Sequence, residues 1–562
     1  MKKLQVKHLL KLIVCYLSAM KHTPIFLIII LFLYSACNGP DVKQPVLEKR
    51  DTSINIKNAF TELFLDSLSL ENFIKTNQYP DTVANQFRSF YNARNYQFAW
   101  FFEDGPAEQA YNFLNLQNDY IGYSRDSSLY NASLQKLLDT ISMDQIDQRK
   151  PLTNAERLNT ELSLTLQFFR YADKAYQGDD KLNATDLKWF IPRKKVNMVA
   201  ALDSLIRYKG LKTESYEPVN RQYILLKDAL LKYYSIQKSG AWTPIQTTQK
   251  KFEKGASSDI IPLIKKRLSL TGDLQSIDTS ALFNDSLVAA VKRFQRRYGM
   301  KEDGVIGTGV IREMNEPIQN RIRQMLINLE RLRWIPAQTP QDYLLVNIPQ
   351  FRLHAYDNGK LSFSMNVVVG STQHSTVIFN GDLKYIVFSP YWNVPVSIVK
   401  NEIMPGIKKN KDYIAKHNME ITGYSGTIPN VRQKPGKNNS LGKVKFLFPN
   451  SYNIYLHDTP AKSLFGETNR AFSHGCIRLG EPKKLAEFLL RNDSAWTSAK
   501  IEAAMNSGKE KYLTLPNPVP VFIGYFTSWI DSQGELNFRN DVYGHDAKMA
   551  EQMFINGDAK KN

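Results

Sequence analysis

The sequence predicts a multidomain α+β protein: an N-terminal helical domain, a small helical module, and a mainly β domain carrying an inserted lid. Three observations predict it. Apolar residues recur at helical spacing through the first half of the chain, and the pattern changes to alternation near residue 342. At 562 residues and 43% hydrophobic content, the chain can bury several cores. Charged residues make up 23%, a proportion of folded domains rather than of a broadly disordered chain.

The first element is a leader. IFLIIILFL at 25–33 is an unbroken apolar run, shorter than the roughly 20 residues of a comfortable membrane span. It fits a signal-peptide core followed by small residues before a cleavage point. The ending Tyr34-Ser35-Ala36-Cys37 resembles a bacterial lipobox, with Cys37 as the lipidated residue and Tyr34 where leucine is usual. Met20 begins a leader of normal length, and Met1 an extended one. An uncleaved signal anchor is the alternative. Both readings place the body outside the cytoplasm, tethered to a membrane. Residues 38–84 are polar, with Pro40 and Pro45, and read as a tether.

Residues 85–240 read as the helical domain. Thr153 and Glu156 make a capping box, and Leu158, Leu162, Leu166, Phe169 and Ala172 follow at helix spacing until Gly178. This stripe is for packing, and no chemistry is assigned to it. Residues 241–256 read as a linker. The module at 257–316 shows one helix through Ile260, Leu263, Ile264, Arg267 and Leu268, and a second through Leu287, Val291, Phe294 and Tyr298. Its GVIGTG at 304–309 lacks the strand-then-helix context of a phosphate loop.

The β domain is expected at 340–546. Strands are read at 343–348, 363–369, 385–388, 444–448, 452–457, 519–526 and 535–538, with helix at 481–492. Residues 397–442 interrupt it with a basic, Gly/Pro-rich insertion whose length points to a functional lid. Residues 547–562 read as a polar tail.

The net charge of +19 favours anionic partners, but the excess is spread along the chain, as in RKK 193–195, KRFQRR 292–297 and KKNK 408–411. No nucleic-acid module is recognisable, so a solvated basic surface is the simpler reading.

The chemistry gathers at AFSHGCIRL, 471–479. Of three cysteines, Cys15 and Cys37 belong to the leader region, which leaves Cys476 alone in the body. His474 precedes it by two residues and His457 by nineteen. A lone thiol with histidines reads as a nucleophile before a disulfide or a metal site. An imidazole with a pKa of about 6.5 can accept the proton of a thiol near about 8.5. Strand alternation sends Ile454 and Leu456 to the core, and Tyr455 and His457 to a common outer face. Gly475 permits close backbone approach, and amides there can serve as an oxyanion hole. No Cys₂His₂ or His-Glu-x-x-His pattern is present, and no metal or organic cofactor is expected.

HDTP at 457–460 followed by SHGCIRL at 473–479 resembles the catalytic signature of the L,D-transpeptidase family. SPYWNVPVSI 389–398, RQKPGKNNSLGKVKF 432–446, FPNSYNIYLHDTP 448–460 and DVYGHD 541–546 resemble its large multidomain periplasmic branch. AAVKRFQRRYGMKEDGVIG at 289–307 resembles the three-helix peptidoglycan-binding module. The resemblance covers roughly 88–546 and implies a scaffold domain, that module and a catalytic β domain, in this order.

The resemblance also implies roles. Cys476 is the nucleophile and His457 the general base, oriented through the Asp458 carbonyl. The Gly475 and Cys476 amides form the oxyanion hole, and His474 supports it. Arg478 holds a substrate carboxylate, or else pairs with Asp458 or Glu467. Tyr455, Trp392 and Asn393 line a groove, and Arg432 and Asn439 are lid contacts. The implied reaction joins the third residues of two peptidoglycan stems, with loss of a terminal D-alanine, and is open to carbapenem inhibition. The expected partners are stem peptides, glycan strands, the membrane through a lipid anchor, and cell-wall synthases. Two alternatives fit the same residues: water as acceptor, giving a carboxypeptidase or endopeptidase, and a non-catalytic wall anchor. A papain-like hydrolase has the opposite order of cysteine and histidine.

Overall fold

The computed structural model describes residues 47–142, 152–276 and 278–554. The leader, with the expected lipidation site Cys37, lies outside them. The chain divides into two compact units, 1–97 and 98–562.

In the first unit, helix α1 (Ser67–Thr76) starts where the Asp66 carboxylate accepts the Ser69 N–H at 2.9 Å. Helix α2 spans Asp81–Ala93. Leu70 and Ile74 are buried, and the Phe73 ring meets Phe87 at 5.8 Å. The polar tether expected over 38–84 is therefore corrected. Its second half folds, because Leu70, Phe73 and Ile74 share one helical face.

The second unit opens with α3 (Glu108–Ser124), α4 (Ala132–Ser142), α5 (Asn154–Ala172), α6 (Met198–Arg207) and α7 (Arg221–Lys238). The capping box of α5 is formed: Glu156 N–H reaches Thr153 Oγ1 at 3.2 Å and Thr153 N–H reaches Glu156 Oε2 at 2.9 Å. Farther along α5, the buried Glu161 carboxylate accepts the Ala99 and Trp100 N–H groups at 2.6 and 2.9 Å. The small module packs α8 (Ile261–Leu270), α9 (Asp285–Arg297) and α10 (Thr308–Met314). The preceding segment is more than a linker: Lys251–Phe252 pairs with Ile306–Gly307, and Phe252 is buried. Helix α11 (Ile318–Trp334) follows, buried along most of its length.

The C-terminal region builds β1 (Tyr343–Asn347), β2 (Arg352–Asp357), β3 (Lys360–Gly370), β4 (Phe379–Phe388), β5 (Trp392–Asn393), β6 (Met419–Ser425) and β7 (Ile428–Gln433). Strands β8 (Val444–Leu447), β9 (Leu456–His457), β10 (Ala471–Ser473), β11 (Ile477–Leu479) and β12 (Lys511–Gly524) complete the main sheet. Its order is β10-β3-β11-β9-β8-β4-β12-β1-β2, and β2 pairs back onto β3, so the sheet closes on itself. Met365, Val367, Ile386, Phe446, Leu456, Ile477 and Leu479 fill its inside. Burial of each contributes roughly 1.5–3 kcal/mol, and alternation sends their neighbours outward.

Three expectations shift. The strand read at 452–457 is confined to Leu456–His457. Asn450 Oδ1 accepts the Tyr452 and Ile454 N–H groups at 3.0 and 3.2 Å, and Asn453 takes φ +56°, so the chain turns there instead. The insertion is folded: β5, β6 and β7 form a three-stranded sheet over a small core of Val394, Val399, Ile403, Met419 and Val431. The tail read from 547 continues a helix, His545–Phe554, because Met549 is buried.

Candidate active site

Strands β9 and β11 run parallel, with Leu456 opposite Ile477 and His457 opposite Arg478. The Ile477 N–H also reaches the Tyr455 carbonyl at 3.1 Å, which sets Cys476 beside Tyr455 just before β11. Leu456 and Ile477 point inward. Tyr455, His457, Cys476 and Arg478 therefore share the outer face.

His457 is 5% exposed, and its Nδ1 lies 2.5 Å from the Asp458 carbonyl. A carbonyl only accepts, so Nδ1 carries the proton and Nε2 keeps its lone pair. Burial, reinforced by the Arg478 charge, lowers the imidazole to about 4, so it is neutral at pH 7. Asp458 serves this ring through its backbone. Its carboxylate is occupied by the Lys443 N–H at 2.9 Å, the Thr459 N–H at 2.7 Å and Lys462 Nζ at 2.6 Å. Gly442, at φ +61°, makes room for that carboxylate; a Cβ there would come within 2.4 Å of it.

Cys476 is half-buried, with Sγ 3.6 Å from the Asn453 carbonyl. Burial pushes the thiol up, against the opposite pull of Tyr455 and Arg478. The resting pair is thus a neutral thiol and a neutral imidazole.

Two hydroxyls hold the nucleophile loop. Ser473 Oγ accepts the Gly475 N–H at 3.1 Å and donates to the Cys476 carbonyl at 2.5 Å. Thr376 Oγ1 donates to the Gly475 carbonyl at 2.8 Å and accepts the Gly370 N–H at 2.9 Å. Gly475 sits at φ +111°, a conformation that suits glycine. Of the two amides expected in an oxyanion hole, Gly475 N–H is already committed to Ser473. Cys476 N–H has no partner among the described residues. Ser473 and Thr376 were missed at the sequence level. Ser473 lay inside the motif, whereas Thr376, a hundred residues upstream, carried no signal.

Residues 341–503 match the family described as the L,D-transpeptidase catalytic domain. Residues 85–230 match the scaffold domain and 257–314 the "Putative peptidoglycan binding domain". Over 341–503 the chain is thus similar to L,D-transpeptidase catalytic domains. A Haemophilus influenzae protein named "Putative L,D-transpeptidase" is 32% identical over 246 residues, which are 41% of this chain and 49% of that protein. The chain thus spans about half the length of the curated relative it matches. Solved L,D-transpeptidases from Xylanimonas cellulosilytica and Stackebrandtia nassauensis are 12% and 14% identical. Each covers 50% of this chain, over 100% and 98% of its own length, with TM-scores of 0.18 and 0.20. At those scores they add nothing to the geometry.

Around Cys476 and His457, the other expected residues divide. Tyr455 is half-buried next to Cys476 and Trp392, and partial burial, then the proximity of Cys476, pushes its hydroxyl up. Trp392 is half-buried in β5, and Asn393 is exposed opposite Arg432. His474 is exposed; its Nε2 lies 3.4 Å from Glu402 Oε1 of the insertion, and its ring stacks on His374 at 5.1 Å. Arg478 is half-buried, its Nε is unpartnered, and it has no carboxylate partner among the described residues. The expected pairing with Asp458 or Glu467 is therefore corrected: Asp458 takes Lys462.

Arg432 and Asn439 have other employment. Arg432 pairs with Glu420 Oε1 at 2.9 and 2.5 Å and lies over the Tyr391 ring at 4.2 Å. Asn439 is buried and donates to the Pro390 and Lys434 carbonyls at 3.1 and 2.9 Å. It fixes the return of the insertion and presents no free amide.

A cleft of about 360 Å³ lies alongside, lined by Arg352, Ser364, Asn366, Lys462, Phe465 and Glu481. Arg352 faces Asn366 across the β2–β3 ladder, and Val368 faces Arg478 across β3–β11, so these side chains share the outer face with Cys476. Burial depresses both Arg352 and its neighbour Arg470, and neither makes an ion pair among the described residues. Among those residues no group of three His, Cys, Asp or Glu is placed to hold a metal ion.

Proposed function

We propose that the protein is an L,D-transpeptidase that forms 3→3 cross-links in peptidoglycan through a thioester on Cys476. One observation carries this reading: a neutral imidazole with its Nε2 lone pair available stands on the same sheet face as a lone thiol, beside an uncommitted N–H.

The reaction has two steps. As the stem peptide binds, His457 Nε2 takes the Cys476 proton and Sγ attacks the carbonyl of the third stem residue. The oxyanion is met by the Cys476 N–H. The imidazolium then protonates the leaving D-alanine nitrogen, and the C–N bond breaks. An amine from a second stem attacks the thioester, loses its proton to His457 and releases the thiol. Arg478 receives a substrate carboxylate in place of the acidic partner it lacks. Tyr455, Trp392 and Asn393 line the approach, and the insertion acts as the lid.

The peptidoglycan-binding match at 257–314 supports a wall polymer as partner and a location in the cell envelope. Anchoring through Cys37 belongs to the same reading, as does acylation of Cys476 by carbapenems. Stem peptides of purified peptidoglycan, incubated with the protein and with Cys476→Ala, test it by mass spectrometry. Dimers joined between third residues, absent with the variant, are expected. Tripeptides alone would assign the acceptor role to water. Unchanged substrate from a folded, reduced protein would refute the reading.

A further inference from the structure

We infer that the helical region supplies two positioning residues to the catalytic centre: Lys188 and Phe190 hold the two loops that flank Cys476. The inference rests on Cys476 being the nucleophile. It concerns a stretch that carries no recognisable chemistry in the sequence.

The stretch 183–190 is a tight turn pinned at one point. Trp189 is buried against Trp334 and Phe526, with ring centroids 5.2 and 6.3 Å away. Its backbone bridges to Ile378: Phe190 N–H donates to the Ile378 carbonyl at 2.7 Å, and Ile378 N–H to the Lys188 carbonyl at 3.3 Å. Lys188 stands at φ +50°, a left-handed conformation uncommon outside glycine. Such backbone strain persists only where the surroundings enforce it. With Trp189 pointing inward, its two neighbours project outward.

Two routes then run to the nucleophile. Lys188 Nζ donates to Ser375 Oγ at 3.0 Å. The next residue, Thr376, holds the Gly475 carbonyl at 2.8 Å. On the other side, the Phe190 ring packs on Tyr452 at 5.1 Å, and Tyr452 packs on Phe379 at 4.9 Å. Asn453 follows, and its carbonyl faces Cys476 Sγ at 3.6 Å. One route fixes the backbone before the thiol and the other fixes the acceptor that aims it. Lys188 and Phe190 are themselves exposed, so removing either leaves no buried hole and the fold has little stake in them.

The test uses the full chain with Lys188→Met, Phe190→Ala, the double variant and the conservative Phe190→Tyr. Two readouts are taken: kcat and KM for D-alanine release from a tetrapeptide, and the pH-dependent rate of iodoacetamide alkylation at Cys476, read by peptide mass. The double variant is expected to lose about tenfold in kcat with KM held within about twofold. It should also alkylate at a changed rate, and Phe190→Tyr, unlike Phe190→Ala, should keep both readouts at their wild-type values. Wild-type kcat and alkylation in the double variant would overturn the inference. So would a loss confined to KM, or one accounted for by a smaller folded fraction. If the wild-type protein releases no D-alanine, the functional reading fails, and the alkylation arm still decides the positioning role.

Discussion

Two regions of this molecule bury charge in opposite ways. On α11, Arg333 is buried with Glu330 at 2.5 Å and with Tyr223 Oη at 3.0 Å, and Glu330 also accepts the Asp179 N–H and Trp334 Nε1 at 2.6 and 2.9 Å. Arg331 reaches Asp546 at 2.5 Å, and Asp546 receives Thr527 Oγ1 at 2.6 Å. On the outer face of the sheet, Arg478 and Arg352 lie partly buried and make no ion pair among the described residues. A set of buried ion pairs spends its charges on the fold. An open set leaves them for something that arrives from outside.

The contrast breaks most sharply at α11. Arg333→Met leaves the Glu330 carboxylate buried against an apolar side chain. A loss of about 3–5 kcal/mol is expected in denaturant unfolding, with unaltered turnover per folded molecule. Wild-type stability would mean the network is not what holds the helical region to α11. At Arg478 the signs reverse. Arg478→Met is expected to unfold at the same or higher denaturant concentration, yet to lose about a hundredfold in kcat/KM on the stem peptide. A destabilised variant with normal kcat/KM would class Arg478 with Arg333.

The smallest effect is in pH. Burial lowers His457, and separately His354 and His545, to about 4. Each is neutral when folded while the unfolded chain still titrates near about 6.5. Their contribution to stability is full above about 6.5 and lost as pH falls through 4. The acid limb of Cys476 acylation should likewise fall near pH 4, measured as kcat/KM against pH. A limb near about 6.5 would mean that water reaches the ring and the imidazole keeps its ordinary value.

What the sequence made legible was local. Cys476, His457 and the outward pairing of Tyr455 with His457 followed from one motif and one strand alternation. The capping box at Thr153 and Glu156 followed from a spacing of three. What stayed hidden was set by contacts distant in the chain. Thr376 reaches the Gly475 carbonyl because β3 and β10 pair, and Lys188 reaches Ser375 because Trp189 is anchored on α11 and the sheet. Arg432 and Asn439 looked available because a basic, glycine-rich stretch gives no hint of a private core. That core lets Glu420 and the Pro390 carbonyl claim them.

That private core has a consequence for how the β domain can be taken apart. The insertion departs after Phe388 and returns before Val444, and those two residues are partners across the β4–β8 ladder. Its entry and exit are thus one ladder step apart, about 5 Å, the span that a short hairpin turn bridges. The whole segment leaves and rejoins the closed sheet at a single seam, and it is tied down there by the Ser389 hydroxyl on the Ala504 carbonyl and the Lys443 N–H on the Asp458 carboxylate.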